Sequence, residues 1–178
     1  QGGLFLNKKE NNIFNNNNKV YINCENFSNN YDNIVISAGA WSKHLALMVK
    51  DHFPLETERG YHVLFKNTEN LINRPIGWSQ SGFYIVQIEE GIRAAGTVEI
   101  AGLKLKPNQK RINMIERESR KLLPSLKEVK STWLGFRPTL PDSIPVIGQS
   151  KKNKKIFYAF GHQHIGWTLG AITGKKIR

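Results

Sequence analysis

The sequence predicts a mixed α/β (α+β) chain in which a strand–glycine–helix unit at each end encloses a central antiparallel sheet. Three observations carry this. The apolar run Ile34 to Ser37 stops at Gly39 and passes into helical spacing; a second run, Ile156 to Phe160, stops at Gly161 and does the same. Between them lie apolar runs punctuated by turn residues, the pattern of antiparallel strands.

In chain order, Leu4–Leu6 and Val20–Ile22 flank the Asn15–Asn18 tract and predict a hairpin. Ile34–Ser37 is short and continuously apolar, as expected of a buried parallel strand, and Ala40–Lys50 continues as a helix through Trp41, Leu45 and Met48. Glu58–Phe65, Phe83–Glu89 and Ile92–Glu99 are strands separated by Asn73, Pro75, Gly82 and Gly91. After Pro107 a helix places Ile112, Ile115, Leu122 and Leu123 on one face and Lys110, Arg111, Glu116, Arg117 and Arg120 on the other. Lys130–Phe136 is a further strand, and RPTLPDSIPVIG, with Pro138, Pro141 and Pro145, is expected to be a stiff loop without regular structure, Asp142 being a turn residue. Ile156–Phe160 is a buried strand and Trp167 opens the last helix.

The 178 residues suffice for a real core, and no apolar run approaches the roughly 18 residues of a membrane span. One cysteine, Cys24, excludes an internal disulfide and any multi-cysteine metal site, so a cytoplasmic setting is expected. The formal charge of +12 is spread along the chain, with clusters at Lys151–Lys155 and Lys175–Arg178. It reads mainly as solvated surface; nucleic acid is not expected, while peripheral contact with the inner face of an anionic membrane is left open.

The stretch FYAFGHQHIGWTLGAITG asks for a cofactor, because a strand feeding a glycine turn and a helix start aims backbone N–H groups at a negatively polarised atom. His162 and His164 form an HxH pair without a third ligand at metal-site spacing, so no metal is assigned; packing and a place in the site wall both remain open for them. Tyr61 and His62 alternate on a strand and must point to opposite faces.

IVISAGAWS, ERGYHVLF, GIRAAGTVEIAG, WLGFRPTLPDSIPVIG and FYAFGHQHIGWTLGAITG, in this order, resemble the C-terminal half of flavin-dependent D-amino acid dehydrogenase small subunits, within the wider glycine oxidase and D-amino acid oxidase-like flavoproteins. The resemblance runs from about Tyr31 onward and implies FAD as cofactor, a D-amino acid as substrate, and oxygen or a quinone chain as electron acceptor; an oxidase of glycine, sarcosine or a cyclic imino acid is the runner-up within the family, and a basic binding module without chemistry is the alternative of another class. It implies that residues 1–55 and 137–178 are parts of a Rossmann-type FAD domain and 56–136 a substrate domain. Such proteins begin with a GxGxxG unit that this sequence lacks, so a fragment of an enzyme is expected. The matching positions make Arg137 the clamp on the substrate carboxylate, with Tyr61 beside it. Ala38, Gly39, Gly161, His162, Gly166, Trp167 and Thr168 would approach the cofactor. Arg59, Trp78 and Tyr84 are left without a decided role.

Overall fold

The computed structural model describes residues 2–16, 19–67 and 69–178, which divide into two compact units, 1–56 with 138–178 and 57–137. The first unit opens with an antiparallel meander of β1 (Glu10–Asn16), β2 (Lys19–Cys24) and β3 (Phe27–Tyr31). Strand β4 (Ile34–Ile36), a 3-10 turn over Gly39–Trp41 and helix α1 (Ser42–Met48) follow. The second unit holds β5 (Glu56–Phe65), β6 (Ile76–Trp78), β7 (Phe83–Ile88), β8 (Gly91–Ile100), helix α2 (Gln109–Leu122) and β9 (Val129–Thr139), the first and last strands crossing its boundaries. The chain returns to the first unit with β10 (Val146–Gln149), β11 (Ile156–Phe160) and α3 (Gly166–Ile177).

In the first unit β11 lies between β10, antiparallel to it, and β4, parallel to it. Alternation sends Ile34, Ile36, Ile156, Tyr158 and Phe160 into one core with Ile13, Val20, Leu45 and Ala46. Val35 and Ala159 point the other way, into a groove beneath α3.

The expected N-terminal hairpin is displaced. Leu4, Phe5 and Leu6 lie in no strand and are exposed; the partner of β2 is β1, whose Ile13 is its one buried side chain. Pairing runs from Asn16 opposite Lys19 back along β1, whereas a strand at Leu4–Leu6 would need a long structureless loop. Asn17 and Asn18 of the expected turn lie outside the described residues. The proline segment is also more regular than expected. Strand β9 runs through Pro138 because it is the edge of its sheet, where a missing N–H breaks nothing, and β10 begins directly after Pro145. Only Leu140–Pro145 is loop, turned by Asp142 Oδ1, which accepts from the Ile144 N–H at 3.0 Å.

One buried polar knot ties this unit together. Asp51 Oδ2 accepts from Ser150 Oγ at 2.5 Å and from Tyr158 Oη at 2.6 Å, and Lys152 Nζ stands 3.8 Å from Oδ1. Burial pulls the Asp51 carboxyl upward, but the two hydroxyl donors and the Lys152 charge outweigh it and hold the group below the ordinary carboxylate range. With the folded pKa below the unfolded one, the knot's contribution is fully present above the ordinary value of 3.8 and is lost as pH falls through the folded value. Asp51→Asn is therefore expected to cost about 1–3 kcal/mol at neutral pH, with the gap to wild type closing as the solution is acidified. Thermal unfolding across the acid range checks this; a gap that does not change with pH would contradict it.

In the second unit the sheet order is β6-β7-β8-β5-β9, and α2 covers one face. Tyr61, Val63, Phe65, Phe83, Ile85, Ile92 and Ala94 meet Ile112 and Ile115 of the amphipathic helix in one buried core. Asn108 caps α2 by accepting from the Lys110 N–H at 3.1 Å, and its Nδ2 donates to Glu99 at 3.0 Å. Glu99 also faces fully buried Arg59 and half-buried Arg111, each at 3.4 Å, while Arg59 donates to the Lys106 carbonyl at 2.9 Å. Arg59 thus anchors the loop into α2.

Candidate functional site

Each unit presents one surface built from the residues that the sequence singles out. In the second unit it is the sheet face opposite α2. Tyr61 points away from it: the ring is 1% exposed, and its hydroxyl donates to Glu99 at 2.5 Å and accepts from the Asn108 N–H at 3.1 Å. Both capacities of that hydroxyl are committed to holding the start of α2. His62 therefore takes the open face, stacked on Trp133 with ring centroids 5.2 Å apart and planes at 19°.

Arg137 shares the open face with His62. Pairing of β5 with β8 is irregular between Arg59 and Tyr61, and across from this bulge Thr97 sits at φ +63°. The Arg137 side chain crosses β5 there: a Cβ on Gly60 would stand 2.3 Å from its Nη2, and Nη1 reaches the Thr97 carbonyl at 3.4 Å. Only a residue without a side chain leaves room for the guanidinium on the strand. The device recurs twice. Trp133 folds over Gly135, where a Cβ would stand 2.2 Å from the indole, and Tyr84, 68% exposed, lies over Gly77 at 2.9 Å. Three strand glycines thus carry a guanidinium, an indole and a phenol. Sequence reading noted none of these glycines, though isolated glycines inside strand patterns were the available signal.

Among the described residues no carboxylate pairs with Arg137, so most of its donors stay free for a ligand. Burial first, and the charge of nearby Arg93 second, hold His62 below the ordinary histidine range, leaving it a neutral group on this face.

In the first unit the surface is the carboxyl end of the parallel pair β4 and β11. Ile36 lies beside Tyr158, so the chain leaves both strands side by side, Gly39 turning at φ +55° and Gly161 at φ +87°. Ligands of open α/β sheets gather at such strand ends. At Gly161 a Cβ would meet Leu140 Cδ1 at 2.5 Å, while at Gly39 it would meet nothing within 4 Å. Gly39 follows Ala38, whose carbonyl accepts from the Trp41 N–H at 3.0 Å.

The turn after Gly161 is pinned at three points. Gln163 N–H donates to the Pro138 carbonyl at 3.0 Å, Ile165 N–H to the His162 carbonyl at 3.0 Å, and His162 Nε2 lies 2.9 Å from buried Thr173 Oγ1 on α3. Burial holds the His162 imidazole below its ordinary pKa, so its tie to Thr173 is that of a neutral ring. His162 thus packs and positions, while His164 is exposed. No side chain caps α3, so the N–H groups of Gly166, Trp167 and Thr168 open its first turn toward solvent, and Trp167 is fully exposed. Gly166, Gly170 and Gly174 form a stripe along α3 that, with Val35, Ser37 and Ala159, lines a groove of about 450 Å³.

Residues 2–178 match the family described as DAO, FAD dependent oxidoreductase. A D-amino-acid oxidase of Bradyrhizobium diazoefficiens is 42% identical over 151 residues, covering 82% of this chain and 36% of that protein. A glycine oxidase of Pseudomonas putida is 31% identical over 141 residues, covering 78% and 38%. Among solved structures, the glycine oxidase of Geobacillus kaustophilus superposes with a TM-score of 0.84 at 20% identity over 95% of this chain and 46% of its own. The L-α-glycerophosphate oxidase of Mycoplasma pneumoniae with FAD bound gives 0.80 at 18% identity, over 96% and 49%. The two structures establish likeness of fold. The chain spans little more than a third of the length of these curated relatives.

Proposed function

Because the chain belongs to the family of FAD dependent oxidoreductases, we propose that the enzyme containing it oxidises D-amino acids, taking hydride from Cα and releasing, after hydrolysis of the imino acid, a 2-oxo acid and ammonia. The observation that carries this reading is Arg137, seated on Gly60 with no carboxylate partner among the described residues. A planar guanidinium without a carboxylate partner can meet a substrate carboxylate with two parallel hydrogen bonds. His62 with Trp133, and Tyr84, would wall the substrate side chain.

The residues at the strand ends fit an FAD. Gly39 and Gly166 leave room for a ring or phosphate to approach the backbone, and the uncapped first turn of α3 offers donors to a negatively polarised atom. When bound, FAD supplies the hydride acceptor. Ala38, Gly39, Gly161, Gly166, Trp167 and Thr168 would hold it through backbone contact, with His162 fixing the turn through Thr173. Arg137 orients the carboxylate and so the Cα–H bond; a neutral amine needs no strong base, and positioning supplies the rate.

The test is anaerobic bleaching of the full-length flavoprotein. D-amino acids are expected to bleach the flavin and L-amino acids to leave it yellow; the reverse would refute the reading. Bleaching by glycine alone would move the enzyme to the runner-up activity of its Pseudomonas putida relative. The natural acceptor, oxygen or a quinone chain at a membrane surface, is proposed on family grounds; among the described residues no helix is long and apolar enough to cross a membrane.

The 178-residue chain, which contains no GxGxxG, is expected to purify colourless and to take up added FAD more weakly than micromolar. Titration followed by absorbance checks this. A stoichiometric yellow complex would show that the strand-end glycines alone carry the binding energy.

A further inference from the structure

We propose that Arg93 is a second anion-binding residue on the Arg137 face, giving the enzyme a preference for D-amino acids whose side chain ends in a carboxylate. The inference rests on the D-amino acid reading of that face and deepens it. Arg93 sits on β8 opposite Leu64 of β5 and Val86 of β7. Its strand neighbours Ile92 and Ala94 are both buried under α2, so alternation turns Arg93 to the open face, where it is exposed.

Spacing makes the pair more than two surface cations. Arg137 lies over Gly60, and Arg93 is aligned with Leu64, four residues further along the same strand. At about 3.3 Å per residue this is about 13 Å. A guanidinium carbon sits about 4 Å from the carbon of a carboxylate it grips, and the terminal carbons of an extended glutamate skeleton are about 5 Å apart. A dicarboxylate gripped at both ends thus asks for guanidinium carbons about 13 Å apart, a separation comparable to that of the two register positions, Gly60 and Leu64, at which Arg137 and Arg93 meet β5. His62, stacked on Trp133, lies between them on β5 as a flat and neutral floor for the intervening methylenes.

Charge points the same way. Among the described residues no carboxylate pairs with Arg93 or with Arg137, whereas on the α2 side Arg59, Arg111, Arg117 and Arg120 each face a glutamate. Arg74, on the loop before β6, donates only to Asn73 Oδ1 at 3.4 Å, so Arg93 and Arg137 are the strand arginines of the open face that lack a carboxylate partner among the described residues. A neutral substrate would satisfy Arg137 alone; an acidic one satisfies both.

The experiment compares D-glutamate with its near-isostere D-glutamine in the FAD-loaded full-length enzyme. Wild type is expected to prefer D-glutamate at least about tenfold in kcat/KM. Arg93→Gln should lower kcat/KM for D-glutamate by about 30-fold, the worth of one charge-assisted contact, and leave D-glutamine within about twofold. Arg93→Lys should restore part of the loss. Equal loss on both substrates, or none on D-glutamate, overturns the proposal. Binding of glutarate, which cannot be oxidised, followed by quenching of Trp133 fluorescence with Trp133→Phe as control, separates this inference from the activity it rests on. If no D-amino acid is oxidised but glutarate binds and Arg93→Gln abolishes that binding, the activity reading falls and the Arg93 site stands. Glutarate binding equally well to wild type and Arg93→Gln, or to neither, overturns the site.

Discussion

Arg137→Lys in the FAD-loaded enzyme is expected to raise KM and to lower kcat/KM for the substrate amino acid by about 2–3 kcal/mol, with flavin content unchanged. An ammonium keeps the charge but gives up one of two parallel hydrogen bonds, and it does not fill the space over Gly60 that the guanidinium occupies. Gly60→Ala tests the same arrangement from beneath. Its Cβ would fall 2.3 Å from Nη2, so the arginine must lift from the strand and surrender its place over the bulge at Thr97. Steady-state kinetics should show Gly60→Ala losing much of what Arg137→Lys loses, while the core under α2, on the other face, keeps its melting temperature within a few degrees. Near wild-type kinetics in both variants would remove Arg137 from the carboxylate site.

Gly161→Val is expected to cost the enzyme its flavin and part of its stability. The backbone there sits at φ +87°, which a branched side chain rarely adopts, and the new Cβ would stand 2.5 Å from Leu140 Cδ1. Strain of about 1–3 kcal/mol and overpacking of similar size act on the point where β11 turns toward α3. Gly166→Val separates strain from occupancy: φ there is not left-handed, and a Cβ would meet only His162 Cβ at 3.5 Å. Flavin lost from Gly166→Val with little change in melting temperature would mean that the valine takes room from the ligand. Full flavin occupancy in both variants would move the cofactor away from this turn.

The parallel pair and its two glycine exits were legible in the sequence because continuous apolar runs ending at Gly39 and Gly161 have few other readings. The meander was less so: FSNNY of β3 is polar at three of five positions, and only pairing with β2 makes it a strand. Period-2 alternation correctly separated Tyr61 from His62 but held no information on which face α2 would cover, since both residues suit either side. Likewise, Arg137–Thr139 read alone suggests the start of a loop. It becomes a strand because β5 lies on one side of it and no strand on the other.

The glycines beneath Arg137, Trp133 and Tyr84 also bear on how this sheet face can change over generations. Each large group depends on a bare position in the neighbouring strand or, for Trp133, in its own, so the two members of a pair constrain one another more than either constrains the fold. A bulkier residue at Gly60 removes the benefit of an arginine at Arg137, and once the arginine is gone the same bulk costs far less. If Arg137 grips the substrate as proposed, routes to a different substrate pass through paired exchanges, and scans that alter one position at a time would score these glycines as folding residues alone.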